Sequence, residues 1–295
     1  MTGTGYGFIG LGNMGGPMAA NLAAAGFELT AYDAAGTESR SPAGAVAAAS
    51  SANLAARVKT VMLSLPDGAV SLAVAREITA APERTVETVI DFSTVGLAAS
   101  REVHAVLAEA GIAYIDAPVS GGTRGAKERT LTVIWAGPEA LLAEHRTALE
   151  AMAGNVFHVG VLPGQGQAMK LLNNYLSAVA MAATSEAMAF GLSQGLDFAT
   201  MLDVVNVSTG RNEATRDKFP ARILSGTYDA GFHMALMTKD MVLYRDSVRT
   251  AGTAREIGEI VADLWQRADE AMPGADFTHI FKFVREESVA GDEPS

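Results

Sequence analysis

The chain contains no cysteine among its 295 residues. Disulfides and thiolate metal sites are therefore excluded, and the five histidines (104, 145, 158, 233 and 279) lack any ligand spacing such as H-x3-H, so no metal is expected. Positive charge is also scarce: 22 Lys and Arg stand against 33 Asp and Glu, a net charge of -11. A polyanion would be repelled at long range, which argues against nucleic acid or an anionic membrane as partner and favours a small molecule. No window of 18 residues is apolar without polar interruption, and the first residues lack the basic stretch and long apolar run of a signal peptide. The expectation is a cytoplasmic protein with no membrane partner.

What is present is a large apolar content, 49% against 19% charged, enough for a substantial core. In the first half, short apolar runs alternate with alanine-rich stretches. "YGFIG" (6–10), "ELTAYD" (28–33), "TVMLSLP" (60–66), "ETVIDFST" (87–94), "AYIDAPV" (113–119) and "LTVIWAG" (131–137) read as strands. Between them, 14–25, 47–57, 68–80, 96–110 and 138–153 read as helices. This rhythm predicts an α/β Rossmann fold, a doubly wound parallel sheet. After "VFHVG" (156–160) and the Pro163-Gly164 break the strand signals stop, and 165–194, 198–206, 213–224, 234–252, 255–269 and 276–286 read as helices. The expected layout is a Rossmann domain over 1–163, an all-helical domain over 164–286 and a disordered tail over 287–295.

"GFIGLGNMGGPMAANL" places Gly10, Gly12 and Gly15 directly after a strand and at the start of a helix. The first glycine permits a tight turn, the second lets backbone approach a pyrophosphate, and the third allows close packing of the helix whose N-terminus faces the phosphates. Leu11, Asn13 and Met14 complete that cofactor loop. Asp33 ends the second strand 18 residues after Gly15, where its carboxylate can accept from ribose hydroxyls and repel a 2'-phosphate. Ala34 and Ala35 follow instead of an arginine, so NAD is expected over NADP; Arg40 is the one nearby cation that could reach a phosphate.

Ligands of such sheets bind beyond the carboxyl ends of the strands, which selects Leu65 and Pro66, Ser93 and Thr94, and Ser120, Gly121 and Gly122. Ser93 and Thr94 are equally suited to cap a helix. In "APVSGG" a hydroxyl and two glycine amides could hold a carboxylate.

"GQGQAMKLLNN" (164–174) carries a lone lysine. Between Gln167 and Ser193 the only charged side chains are Lys170 and Glu186, so the helix is apolar nearly all round and expected to be buried. Lys170, Asn173 and Asn174 share one face, continued by Ser177. A phosphate-binding loop is ruled out because G-K-[ST] is absent. Lys170 could snorkel to solvent. Alternatively, partial desolvation moves an ammonium toward neutrality, where it can take and return a proton, with Asn174 holding a substrate by hydrogen bonding. Lys239 and Asp240 form a second isolated charged pair in an apolar helix, either a solvent-facing ion pair or a lysine reaching the cofactor.

These motifs, "FIGLGNMGGPMAANL", "DFST", "DAPVSGGTRGA", "GQGQAMKLLNN" and "FHMALMTKD", together resemble the β-hydroxyacid dehydrogenase family of the 3-hydroxyisobutyrate dehydrogenase type. The resemblance spans about 6–286 and implies that 1–163 bind NAD, that a long interdomain helix opens the second domain, and that 164–286 serve substrate binding and oligomerisation. It implies oxidation of a small β-hydroxy acid, or reduction of the semialdehyde, with NAD(P), in a homodimer or homotetramer. It also implies Lys170 as the catalytic residue, Ser120, Gly121 and Gly122 at the substrate carboxylate, Asn174 at its hydroxyl region, and Thr94 and Lys239 at the cofactor. A related imine reductase, a 6-phosphogluconate dehydrogenase or a catalytically silent nucleotide-binding module are the alternatives; the retained lysine and asparagine speak against the first and the last, and the short chain against the second. The family usually has glycine where Arg129 stands and proline after the Ser-Thr of "STVGLA". These departures leave the substrate open, and Arg124 and Arg211 could recognise an additional anionic group.

Overall fold

The computed structural model describes residues 5–290, which form two compact units. One unit ends at Lys170 and the other begins at Leu171, seven residues beyond the break read at Pro163-Gly164.

The N-terminal unit is built on a nine-stranded sheet: β1 (Tyr6–Ile9), β2 (Leu29–Tyr32), β3 (Val46–Ala47), β4 (Thr60–Leu63), β5 (Thr88–Asp91), β6 (Ala113–Asp116), β7 (Val119–Ser120), β8 (Leu131–Ala136) and β9 (Ala153–Gly160). The order is β3-β2-β1-β4-β5-β6-β8-β7, with β9 paired to β8. The strands from β3 to β6 are all parallel. Beyond them the sheet departs from the expected all-parallel form, because β8 runs antiparallel to β6 and β7. The reason is local: Pro118 has no N–H to give a ladder, so the run read as 113–119 breaks after Asp116, and a new strand starts at Val119.

The helices of this unit are α1 (Gly15–Ala24), α2 (Thr37–Arg40), α3 (Ser51–Ala55), α4 (Gly68–Ala80), α5 (Leu97–Glu109), α6 (Gly122–Glu128) and α7 (Glu139–Met152). Because successive strand residues point to opposite faces, Phe8, Met62, Ile90 and Ile115 enter one core with Met18, Leu22 and Leu149 of α1 and α7. Their neighbours Ile9, Val61, Leu63, Val89 and Tyr114 enter the other with Leu54, Val74 and Val103 of α3, α4 and α5. Both faces are covered, which is why these strands read as continuous apolar runs.

Helix α8 (Gln165–Ser193) carries the chain out of this unit. The C-terminal unit continues with α9 (Phe198–Asn206), a π-helical segment (Ala214–Leu224), α10 (Met234–Ala251), α11 (Glu256–Ala271), a 3-10 turn (Phe277–His279) and α12 (Ile280–Ala290). Pro220 lies inside the π-helical segment; its ring would clash with the carbonyl four residues back, and widening the turn relieves that crowding. The core gathers Trp265, Phe219, Phe281, Met237 and Met241. Helix α12 runs four residues into the segment expected as a tail, 287–295, and 291–295 lie outside the described residues.

Helix α8, expected to be buried, is buried only in part. Leu172 (46% exposed), Leu176 (59%) and Phe190 (67%) stand on its surface. By length and composition α8 also meets the requirement of a membrane span, the only such helix among the described residues. Gln167, Lys170 and Asn174 of this helix are nevertheless buried.

Candidate active site

The cofactor motif folds as the glycine spacing predicts. A Cβ on Gly10 would strike the Ser64 carbonyl and one on Gly15 the Gly10 carbonyl, so strand, loop and helix can meet only without side chains there. Gly12 faces open space, its backbone exposed for a ligand's approach. Helix α1 has no side-chain cap and no acidic residue in its first turn; its leading amides and positive dipole end are left to an anion.

Asp33 closes this loop in a way the sequence did not reveal. Its Oδ2 accepts a 2.6 Å hydrogen bond from the Leu11 N–H, so the carboxylate at the end of β2 holds the glycine loop. Arg40 lies beside it, Nε 3.8 Å from Oδ1. The cation singled out in the sequence thus sits against the residue that would exclude a 2'-phosphate.

At the next strand ends Ser93 is buried, Leu65 and Thr94 are half-buried, and Pro66 is exposed. Ser93 is not a helix cap, since the residue preceding α5 is Gly96. Its hydroxyl accepts from Leu65 N at 2.8 Å, and its own N–H donates to Asp91 Oδ1 at 2.9 Å. This joins the ends of β4 and β5 at Leu65, one of the residues read as a cofactor contact. Asp91 is fully buried; desolvation raises its pKa to about 6, against the opposing hydrogen bond from Ser93.

Gly121 and Gly122 follow β7 with φ of 128° and 62°. Both values suit glycine alone, and the two residues present their amides at the start of α6 beside the half-buried Ser120. The three residues read as a carboxylate nest are therefore contiguous on one strand-to-helix turn.

Lys170 is 8% exposed and Asn174 6%, one turn apart on α8, whereas Asn173 is on the surface. Snorkelling to solvent is thus not what Lys170 does. Its helix starts against the strand ends: a Cβ on Gly166 would lie 2.7 Å from the Asp116 carbonyl and 3.0 Å from that of Ile134. Gly166 lets the backbone approach the sheet this closely. In the C-terminal unit, Asn174 Nδ2 donates to Asp240 Oδ2 at 2.6 Å, and Lys239 Nζ lies 3.8 Å from Asp240 Oδ1. Asp240 is buried and the Lys239 side chain is 29% exposed, so the pair is not a solvent-facing one.

Sequence reasoning missed Gln167, Asp116 and the role of Asp240. All three stand inside motifs already singled out, each a polar signal without a long-range partner until the fold supplies one. The Arg129 departure falls at a helix end. Arg129 ends α6 in the left-handed region, φ 62°, and its Nε donates to Asn21 Oδ1 at 3.2 Å. Glycine at this position satisfies a backbone requirement, and the arginine side chain is engaged on α1. Arg124 pairs with Glu128 at 2.9 Å on the surface, and Arg211 is exposed.

Residues 5–160 match the model of the NAD binding domain of 6-phosphogluconate dehydrogenase, and 164–284 match that of the NAD-binding domain of NADP-dependent 3-hydroxyisobutyrate dehydrogenase. A probable 3-hydroxyisobutyrate dehydrogenase of Mycobacterium bovis is 34% identical over 94% of this chain and 97% of its own length. The chain belongs to the 3-hydroxyisobutyrate dehydrogenase family. It is an NAD(P)-dependent oxidoreductase acting on a CH–OH group. An NAD-dependent L-serine dehydrogenase of Pseudomonas aeruginosa is 35% identical over 88% of this chain and 90% of its own. The structure of the Mycobacterium tuberculosis 3-hydroxyisobutyrate dehydrogenase with L-serine superposes with a TM-score of 0.89 at 33% identity, covering 96% of this chain and all of that one. The glycine loop, uncapped α1 and Asp33 are the parts of this fold that fit the dinucleotide.

Proposed function

We propose that this dehydrogenase oxidises the hydroxyl of a small β-hydroxy acid with NAD, reversibly, and that Lys170 accepts the hydroxyl proton. The observation that carries this reading is a lysine buried near the start of α8, only 8% exposed as a residue, one turn before a buried asparagine. Bound nicotinamide supplies a hydride acceptor. The amides of Gly121 and Gly122 with the Ser120 hydroxyl hold the substrate carboxylate, Asn174 hydrogen-bonds near its hydroxyl, and Thr94 and Lys239 meet the cofactor with Leu65 and Pro66. Exclusion of water around Lys170 strengthens each of these polar contacts.

NAD rather than NADP follows from the Asp33 carboxylate. A homo-oligomer follows from exposed apolar side chains of the helical unit, Leu176, Phe190, Ile257 (61%) and Ile260 (70%), which a second copy would cover. The reading places the enzyme in the cytoplasm, where NAD is available, and assigns α8 to the protein's own interior because its buried Asn174 is bonded to Asp240.

The test is a panel of 3-hydroxy acids (3-hydroxyisobutyrate, serine, glycerate, threonate, dicarboxylic and sulfonated analogues) with NAD, followed through NADH formation. One member should be turned over by the native chain. Lys170→Ala should abolish that turnover while NADH affinity stays within a few-fold; turnover at the native rate would remove Lys170 from the mechanism.

A further inference from the structure

Three residues before Lys170, Gln167 is fully buried and all of its amide hydrogen-bonding directions are engaged within the N-terminal unit. Its Oε1 accepts from Val95 N at 2.9 Å and Gly96 N at 3.1 Å. Its Nε2 donates to Ser93 O at 3.0 Å and Asp116 Oδ1 at 2.6 Å. The other oxygen of Asp116, Oδ2, accepts from the backbone N–H groups of Gly164 (2.9 Å) and Gln167 (3.1 Å). Side chain and main chain at the head of α8 thus converge on one buried carboxylate at the end of β6.

The polarity of this arrangement is overdetermined. A flipped amide would aim its NH2 at two N–H groups and its oxygen at a carbonyl and a carboxylate. Only the observed orientation satisfies all four partners, and glutamine alone among the common residues has the length and the two-ended amide to do so. Ser93, which receives one of these bonds, also holds Leu65 through its hydroxyl. The clamp therefore reaches the ends of β4, β5 and β6 together.

We propose that Asp116 and Gln167 are positioning residues for Lys170: they fix the rotation and the seating of the first turn of α8 on the strand ends, and so the place of the amine. This rests on the reading of Lys170 as the proton acceptor. Gln167 and Lys170, three apart, share one side of the helix, so anchoring one sets the angle of the other. Side-chain tips lie roughly 6 Å from a helix axis, where a rotation of about 10° moves them by about 1 Å. A displacement of that size can cost on the order of a hundredfold in rate.

The test uses the full-length enzyme, NAD and the best substrate of the panel, with kcat measured from about pH 6 to about pH 9, NADH affinity by fluorescence titration, and melting temperature. Gln167→Ala should lower kcat by at least about tenfold and shift the pH profile of kcat, with NADH affinity within about twofold. Gln167→Glu carries the sharper expectation. Ionised, it places an oxygen against Asp116 and Ser93 O; protonated, its single O–H restores one of the amide's two donations. Its kcat relative to the native enzyme should therefore rise as pH falls, under conditions where both proteins are folded and bind NADH equally. Should Gln167→Ala fail to fold, this pH-dependent ratio decides alone. A ratio flat in pH, or native kcat and pH profile in both variants, overturns the clamp. Lys170→Ala separates the two ideas: if it keeps turnover, the proton-acceptor reading itself fails, and if it abolishes turnover while the Gln167 variants behave as native, only the clamp does.

Discussion

Asn174 gives one amide N–H to Asp240 Oδ2 over 2.6 Å, and both side chains are buried. A carboxylate only accepts, so the asparagine must present its NH2 to α10 and turn its Oδ1 the other way, where Asn173 Nδ2 donates at 3.2 Å. The orientation of a proposed substrate contact is thus set by a residue 66 positions further along. Asp240→Asn lets the amide face either way. Hydrogen bonds to charged groups contribute about 1.5–3 kcal/mol, so kcat/KM for the hydroxy acid should fall at least about tenfold while NADH affinity changes little. Steady-state kinetics beside NADH titration checks this, and a loss confined to NADH affinity would refute it.

Asp33 combines a structural bond to Leu11 with the exclusion of a 2'-phosphate, and Arg40 stands next to it. Titration of the native enzyme should show NADH bound more tightly than NADPH. In Asp33→Ser the repulsion disappears and Arg40 loses its partner, so the NADPH to NADH affinity ratio should rise by about tenfold or more, with some loss of NADH binding as Leu11 N–H is released. Tighter NADPH binding by the native chain would contradict the assignment.

Asp91 offers a test in stability. Desolvation places its folded-state pKa at about 6, above the unfolded value of about 3.9. The folded chain holds this proton more tightly, so the group's contribution to stability is complete below about pH 4 and is lost as pH rises through about 6. Asn in its place keeps an acceptor for Ser93 N–H without the charge. The melting temperature of Asp91→Asn should exceed that of the native protein at pH 8, by an amount on the order of 1–3 kcal/mol in stability, and the gap should shrink by pH 5. A gap independent of pH would mean that the buried charge is not what is felt.

Arg129→Gly should leave substrate preference alone. The left-handed backbone costs a non-glycine residue about 1 kcal/mol, and losing the bond to Asn21 costs a similar amount, so the melting temperature should move by no more than about 3 °C. Ratios of kcat/KM across the panel should stay constant; a changed ratio would return this residue to the substrate question.

Much of the molecule was legible as local pattern. Helices 68–80 and 198–206 fall where periodicity placed them, and strands β1, β4 and β8 sit within the apolar runs, because alternation and helical repeat are carried by neighbouring residues. The short β3 and β7 and the helices α2 and α6 were not, being too brief to establish a period. Glycine spacing, an acid at the end of β2 and the four-residue interval from Lys170 to Asn174 are likewise local, and the sequence determined them by itself. Only the tertiary structure decided that Gln167 meets Asp116 across 51 residues, that Asp240 turns Asn174, and that Ser93 holds Leu65 instead of capping a helix. Each depends on which strand ends and helices become neighbours, and a single chain of letters records no distance between residues far apart along it.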